Sequence, residues 1–238
     1  MIIDAIIIKI NKTKDYDAMI KAITNDKCFS FFARGILKIT SKNAPALNLF
    51  NLVKLNLNEG KQGGLSLKEA KLIKSYSHIL DDFNKAAALN YFSELLSKLV
   101  IDEENINLFL FIEFILEKLD SGFDPLTLIN LLTAKTLNEV GVGLNVNECI
   151  HCHSDKGIVK MDFNNGGFVC KKCFNDLTKP TPVTLLRLYR YIFNISVDNF
   201  IDKPIDRENN KIIFRNLIEY IEESLSTQIK TKSLVKLI

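Results

Sequence analysis

The chain has 238 residues, 47% of them hydrophobic and 25% charged, which allows two or three buried cores and excludes a disordered protein. The first ten residues contain Asp4 and lack both a cationic head and a small-residue cleavage site, so no secretion signal is predicted. The most apolar helical stretch, residues 108–119, contains three charged side chains, which argues against a membrane span. We therefore expect a cytoplasmic protein without membrane contact.

The net charge of +3 conceals an asymmetry between two parts of the chain. Residues 1–80 carry 13 Lys and Arg against 6 Asp and Glu, whereas residues 81–238 carry 18 against 22. An excess of lysine attracts phosphates, because each neutralised phosphate releases a condensed counterion. Lysines also protect sheet edges and increase solubility. Charge alone therefore leaves nucleic-acid binding and simple solubility open.

Five β-type segments fill the first eighty residues. Apolar and polar side chains alternate along them, most clearly at Val53, Leu55 and Leu57 against Lys54 and Asn56. The segments are 4–10, 18–25, 28–34, 49–57 and 65–76. Five strands in this length predict an OB-type barrel, a fold that commonly binds single strands with a basic groove and aromatic stacking platforms.

The candidate stacking platforms are three rings of the third strand, Phe29, Phe31 and Phe32. Since side chains alternate between the two faces of a strand, at least one of these rings must point into the barrel. A large aromatic ring in a strand is also a common core residue. For each ring taken singly, we therefore favour a core position over a platform.

The hydrophobic period becomes helical after Asp81 and Asp82. Apolar spacings of three and four residues predict helices around 88–99, over 107–119, from about 124 to 141, over 184–194 and over 210–228. The segment 107–119 is apolar on nearly every side, which predicts a position in the centre of a bundle. The predicted organisation is therefore a β domain at 1–80 followed by an all-α domain at 81–238.

Four of the five cysteines form two C-x-x-C pairs, Cys149 with Cys152 and Cys170 with Cys173. Two such turns close a tetrahedral four-sulfur shell around Zn²⁺ and leave no open position for a substrate. We therefore predict a structural zinc ribbon with two short strands, inserted into the helical domain at about residues 145–178.

Two other interpretations of the cysteine pairs remain open at this stage. His151 and His153 are the nearest substitute ligands, although we favour exposed positions for both. A redox dithiol is the less favoured interpretation of a C-x-x-C pair. The fifth cysteine, Cys28, lies in an apolar strand and is expected to be a buried thiol.

Common catalytic and nucleotide-binding signatures are missing from the sequence. None of the histidines, His78, His151 and His153, is followed two positions later by the glutamate that zinc deaminases require. Neither G-x-x-x-x-G-K-[ST] nor G-x-G-x-x-G occurs, so no nucleotide-phosphate cradle is predicted. We therefore expect that the protein is not an enzyme.

The order of a basic barrel, helices, a four-cysteine insertion and final helices resembles the RecO family of DNA repair and recombination proteins. The resemblance covers nearly the whole chain. Its local matches are Leu57-Asn58-Glu59-Gly60 with the following strand, Leu137-Asn138-Glu139-Val140-Gly141 before the first cysteine pair, and residues 165–173 around the second pair.

This resemblance implies a non-enzymatic recombination mediator. Such proteins bind and anneal single-stranded DNA, with double-stranded DNA as a second ligand, and act with RecR on strands coated by single-stranded-DNA-binding protein, so that RecA can load. The family's arginine-rich run after the third strand corresponds to residues 34–42, which hold only three cations here. The predicted DNA-binding residues are Lys9, Lys12, Lys14, Arg34, Lys38 and Lys42.

The resemblance also implies an apolar groove between helices that receives the tail of single-stranded-DNA-binding protein. The first helix offers Phe92, Leu95, Leu96 and Leu99 as candidates, although we favour core positions for most of them. A second function from a different class is a zinc-ribbon adaptor for protein interactions, whose basic barrel has no role with DNA. Salt-dependent binding of single-stranded DNA distinguishes the two functions.

Overall fold

The computed structural model of the protein describes residues 1–13, 15–60, 63–101, 107–175 and 179–235. A closed five-stranded barrel comes first and is followed by helices and a small three-stranded sheet. The barrel strands are β1 (Ile2–Lys12), β2 (Ala18–Ile23), β3 (Cys28–Ala33), β4 (Leu52–Glu59) and β5 (Leu65–Lys74).

The barrel has the strand order β1-β2-β3-β5-β4, and β1 closes it by pairing with β4. Its pairings are antiparallel except for a parallel contact of β3 with β5 at Phe32 and Ser66. This is the Greek-key arrangement of an OB fold, so the predicted N-terminal fold is confirmed.

The long first strand is buried on both faces. Its side chains at Ala5 and Ile7 point into the barrel, whereas Ile6 and Ile8 belong to the core shared with the helices. A bulge between Ile7 and Lys9 lets the strand leave β4 and continue along β2. The uninterrupted apolar run of this strand follows from this two-sided burial.

The helices are α1 (Phe83–Leu99), α2 (Phe109–Asp120), α3 (Pro125–Glu139), α4 (Val183–Phe193), α5 (Arg207–Ser224) and α6 (Lys232–Val235). An aspartate begins three of them by accepting a hydrogen bond from a first-turn backbone N–H group, and these residues are Asp82, Asp124 and Asp206. None of the helices in the described ranges has the length and apolar character that a membrane crossing needs.

The central helix of the bundle is α3, so the prediction that residues 107–119 lie there was wrong. Leu110 of α2 is 61% exposed and lies on the same helix face as the exposed Glu117, whose charge favours contact with water. Helix α3 packs against α1, α2, α4 and α5. Its small polar side chains are compatible with burial because they hydrogen-bond internally, as Thr133 does to the Ile129 carbonyl.

The barrel and the helices share one continuous core. Ser93 of α1 donates a hydrogen bond to the carbonyl of Ile8 at 2.7 Å, and Lys21 of β2 donates to the carbonyl of Ser97 at 3.3 Å. Cys28 belongs to this shared core, and its predicted burial is confirmed. These contacts hold α1 directly against the outer face of the barrel.

The C-terminal segment is tied to α1 by Glu94, whose side chain is only 9% exposed. Its carboxylate accepts hydrogen bonds from the backbone N–H groups of Lys230 and Thr231 at 3.0 and 2.7 Å and pairs with Lys98 at 2.7 Å. Burial by itself would raise the pKa of Glu94, but the hydrogen bonds from Lys98 and Thr231 outweigh it and lower the pKa to about 2.

Candidate metal centre and nucleic-acid interface

The cysteine pairs lie in a ribbon of three strands, β6 (Asn145–Cys149), β7 (Ile158–Asp162) and β8 (Gly167–Cys170), in the order β6-β8-β7. The sequence predicted two strands, and the third arises because β8 also pairs with β6 in parallel. Gly167 permits this close approach. A Cβ atom there would overlap the carbonyl oxygen of Asn145 and lie 2.9 Å from Cγ2 of Ile150.

The ribbon brings the four predicted sulfur atoms together. The Sγ atoms of Cys149, Cys152, Cys170 and Cys173 all lie within 4.8 Å of one another, and those of Cys152 and Cys170 are 3.6 Å apart. A tetrahedral metal with bonds of about 2.3 Å to sulfur requires sulfur atoms about 3.8 Å apart. The cluster can therefore hold one metal ion with four thiolate ligands.

Backbone N–H groups at the two turns favour thiolates at two of the four positions. Burial by itself would raise the pKa of Cys149, but N–H groups of the turns, first that of Cys170, lower it to about 6. The N–H of Cys173 lowers the pKa of Cys170 in the same way. Hydrogen bonding with the neighbouring sulfurs, first that of Cys152, raises the pKa of Cys173 to about 12, and a bound divalent cation would reverse that shift.

The two histidines of the first turn point away from the sulfurs. His151 is exposed, and Nδ1 of His153 lies 2.7 Å from a carboxylate oxygen of Glu148. That contact raises the pKa of His153. In the described parts of the chain, the four cysteines are the one group of at least three His, Cys, Asp or Glu side chains close enough together to hold a metal ion. Neither histidine belongs to that group.

The ribbon is packed firmly against the helices. Arg190 of α4 donates from Nε to the carbonyl of Val146 at 2.9 Å, and its guanidinium lies 5.4 Å from the ring centre of Phe168. Val146, Met161 and Phe168 of the ribbon are buried in the same core as α4 and α5. The fold of the ribbon therefore contributes directly to the helical core.

In the N-terminal barrel, two loops meet through hydrogen bonds donated by backbone N–H groups. The first (13–17) joins β1 to β2, and the second begins at Arg34. The N–H of Leu37 donates to the carbonyl of Tyr16 at 2.9 Å, and the N–H of Gly35 donates to the Asp17 carboxylate at 2.6 Å. We call this region, residues 12–13, 15–17 and 34–38, the basic end of the barrel.

The structure separates the six predicted DNA-binding residues. Lys12, Arg34 and Lys38 are exposed and lie in the basic end. Lys9 is half-buried opposite Lys21, toward α1. The remaining two are Lys42, which is exposed, and Lys14, which lies outside the described residues.

Lys42 lies in the loop that follows the basic end, where the N–H of Ser41 donates a hydrogen bond to the carbonyl of Lys38 at 3.0 Å. The side chain of its neighbour Asn43 accepts a hydrogen bond from the N–H of Ala70 in β5 at 3.0 Å. This contact ties the residue after Lys42 to β5. The bond joins residues that are 27 positions apart in the chain, so it leaves no periodic signal in the sequence.

The rings proposed as stacking platforms are mostly core. Phe29 and Phe31 are buried, and their rings pack 6.1 Å apart inside the barrel. Phe32 is half-buried on the outer face. The aromatic side chain exposed at the basic end is Tyr16, which the strand pattern could not identify because it lies in a loop.

The candidate groove residues of α1 are core as well. Phe92, Leu95 and Leu96 are fully buried, and Leu99 is partly buried. A different groove of about 480 Å³ lies along α5. Its floor is apolar and its rim includes cations, with the lining residues Leu126, Lys211, Phe214, Arg215, Ile218, Glu219, Glu222, Lys232 and Val235.

Comparison with known proteins agrees with this architecture. The family Recombination protein O N terminal matches residues 1–76, and Recombination protein O C terminal matches residues 80–233. The DNA repair protein RecO of Bacillus subtilis is 29% identical over 234 residues, covering 93% of this chain and 89% of the relative. That of Listeria welshimeri is 23% identical over 238 residues, covering 98% and 92%. The chain therefore belongs to the RecO family of DNA repair proteins.

Proposed function

We propose that this RecO-family protein is a recombination mediator that binds and anneals single-stranded DNA. The observation that carries the proposal is the basic end of an OB barrel, where two loops place Lys12, Arg34 and Lys38 on one exposed surface. The surface of an OB barrel formed by strands 2 and 3 and their flanking loops is the usual site for oligonucleotides. On this proposal residues 1–80 bind DNA and residues 81–238 bind protein partners.

The three cations of the basic end act on phosphates and not on bases. Lysine and arginine contacts to phosphate carry no sequence information, so affinity should be similar for unrelated strands. Each such contact adds about 0.7 to the slope of log affinity against log salt. Lys9, Lys14 and Lys42 are proposed as further phosphate contacts.

A titration tests this proposal. Labelled single-stranded oligonucleotides of unrelated sequence are titrated with the intact protein at several salt concentrations. We expect Lys38→Glu to weaken binding about equally for every sequence and to flatten the salt dependence. Lys203→Glu, at an exposed lysine of the helical part, serves as the matched control. If Lys38→Glu binds as tightly as the control, these side chains are solvated charges, and the adaptor function becomes the better proposal.

The metal of the cysteine cluster is proposed to be structural zinc. Four cysteine sulfurs at these separations fit the tetrahedral thiolate shell that Zn²⁺ prefers. The ligands are Cys149, Cys152, Cys170 and Cys173. Such a shell stabilises the ribbon and leaves no position for a substrate.

The groove along α5 is proposed to receive the tail of single-stranded-DNA-binding protein. Its apolar floor at Phe214 and Ile218 suits an apolar side chain, and Lys211 and Arg215 on its rim suit an acidic segment. A labelled tail peptide should bind the intact protein, and Arg215→Glu should weaken that binding without changing DNA affinity. Equal peptide binding by the variant would remove this groove from the proposal.

RecR and RecA enter the proposal through family membership. The protein would act with RecR and would help RecA to load. It would speed the pairing of complementary strands coated with their own binding protein, without ATP, since the sequence has no nucleotide-phosphate cradle. If a folded, metal-loaded protein leaves that pairing rate unchanged, the mediator function fails.

A further inference from the structure

Tyr16 stands out at the basic end because its ring is exposed beside the ammonium group of Lys38. Its exposed fraction is 53%, and Nζ of Lys38 lies 5.6 Å from the ring centre. The exposed apolar side chains of Met19, Leu37 and Ile39 occur in the same strand and loop segments. In a bound single strand, the bases can stack on exposed aromatic and apolar side chains, and the phosphates can contact the neighbouring cations.

The backbone around Tyr16 is fixed by contacts between the two loops. The carbonyl of Tyr16 accepts the N–H of Leu37, and the side chain of the next residue, Asp17, accepts the N–H of Gly35. Gly35 has a φ of +64°, a left-handed conformation that glycine adopts without strain. An aromatic ring on such a fixed loop needs little ordering when a flat ligand stacks on it.

We propose that Tyr16 is a base-stacking residue, on which one nucleobase of a bound single strand rests while Lys38 and Arg34 contact adjacent phosphates. The inference depends on the proposed DNA binding and makes it more specific. Stacking on one ring is sequence-tolerant because every base has a π-face. The simpler role for the ring is to hold the Lys38 ammonium in place, and the two roles predict different results with DNA that lacks bases.

The experiment uses an oligothymidylate and an abasic oligonucleotide of equal length and equal phosphate count. We expect Tyr16→Leu to bind the oligothymidylate about tenfold more weakly, which is within the range for loss of one stacked base. Its affinity for the abasic strand and its salt slope should stay at wild-type values. Tyr16→Phe keeps the ring and should retain wild-type affinity for both strands.

Three results separate the possibilities. If Tyr16→Leu binds both strands equally more weakly, the ring only positions Lys38. If it binds both strands as tightly as wild type, the ring makes no contact with DNA. Either result overturns the inference and leaves the DNA-binding proposal standing. A wild-type protein that binds neither strand overturns both together. Circular dichroism and metal content, unchanged in Tyr16→Leu, would show that the variant is folded.

Discussion

Replacing Cys170 by serine should remove the metal and weaken the helical core at the same time. The change replaces one of four soft thiolate ligands by a hydroxyl, which is a poor ligand for Zn²⁺. Because the binding energy of a site that is absent in the unfolded chain is folding energy, loss of the metal destabilises the ribbon. The ribbon strand that ends at Cys170 also carries Phe168 into the core shared with the helices.

The size of the effect follows from the side chains that the ribbon buries. Val146, Met161 and Phe168 are each buried against the helices. Full burial of one such side chain contributes about 1.5–3 kcal/mol, so the three together contribute up to about 4–9 kcal/mol. Residual burial in the unfolded chain reduces this estimate. At about 2–4 °C per kcal/mol for a chain of this size, we expect the melting temperature to fall by about 10 °C or more.

Two measurements on the same preparations check the prediction. Metal content is determined by elemental analysis, and unfolding is followed by the helical circular dichroism signal. Cys28→Ala is the matched control, because it removes a buried thiol outside the cluster and should keep the full metal content. A Cys170→Ser protein that keeps its metal would refute the ligand assignment. One that loses the metal but melts like wild type would refute the structural role.

Two further predictions concern stability. Because the folded pKa of Glu94 is lowered to about 2 from 4.5, its contribution is complete above 4.5 and is lost as pH falls toward 2. Glu94→Gln should therefore lower the free energy of unfolding by about 2 kcal/mol at neutral pH, measured with urea, and the difference from wild type should close on acidification. The control Glu223→Gln, at an exposed site, should change the free energy of unfolding very little. A difference for Glu94→Gln that does not depend on pH would contradict the prediction. Gly167→Ala should lower both metal content and melting temperature, because its Cβ would overlap the carbonyl oxygen of Asn145 in the neighbouring strand. Normal values of both in this variant would show that β6 and β8 can move apart without cost.

The features predicted correctly from sequence are those with a local cause. Alternation at Val53, Leu55 and Leu57 specified a strand with one buried face, and all three side chains are buried in the barrel. Cysteine spacing specified the cluster because a C-x-x-C turn sets the separation of its own sulfurs. In both cases neighbouring residues determine the geometry without help from distant parts of the chain.

Features that depend on contacts between distant segments were missed. High apolarity placed α2 in the centre of the bundle, but Glu117 and the exposed Leu110 keep one of its faces in solvent. Helix α3 takes the centre although it contains Asn130, because that amide hydrogen-bonds to Asn210 of α5 at 2.9 Å. A helix can bury polar residues when a partner supplies the bond, and the partner is eighty residues away.

The basic end was only partly predicted for the same reason. The sequence names Lys12, Arg34 and Lys38 among six candidate cations but does not indicate which loops meet. The hydrogen bonds that Gly35 and Leu37 donate join the second loop to the first, and the bond from Ala70 to Asn43 ties the segment beside Lys42 to β5. A local sequence pattern does not indicate which distant loop a given loop will contact.

Under the proposed function, the uneven distribution of charge favours different partners for different surfaces. Residues 81–238 carry 18 cations against 22 anions, so a DNA strand leaving the barrel meets a surface that repels its phosphates. The groove along α5 is lined by three cations, Lys211, Arg215 and Lys232, and by Glu219 and Glu222, and its apolar floor offers nothing to a phosphate backbone. An acidic peptide with an apolar side chain satisfies both features of that groove. Under the proposed function, the strand and the peptide use different cations, since Lys12, Arg34 and Lys38 belong to the barrel and Lys211 and Arg215 belong to α5.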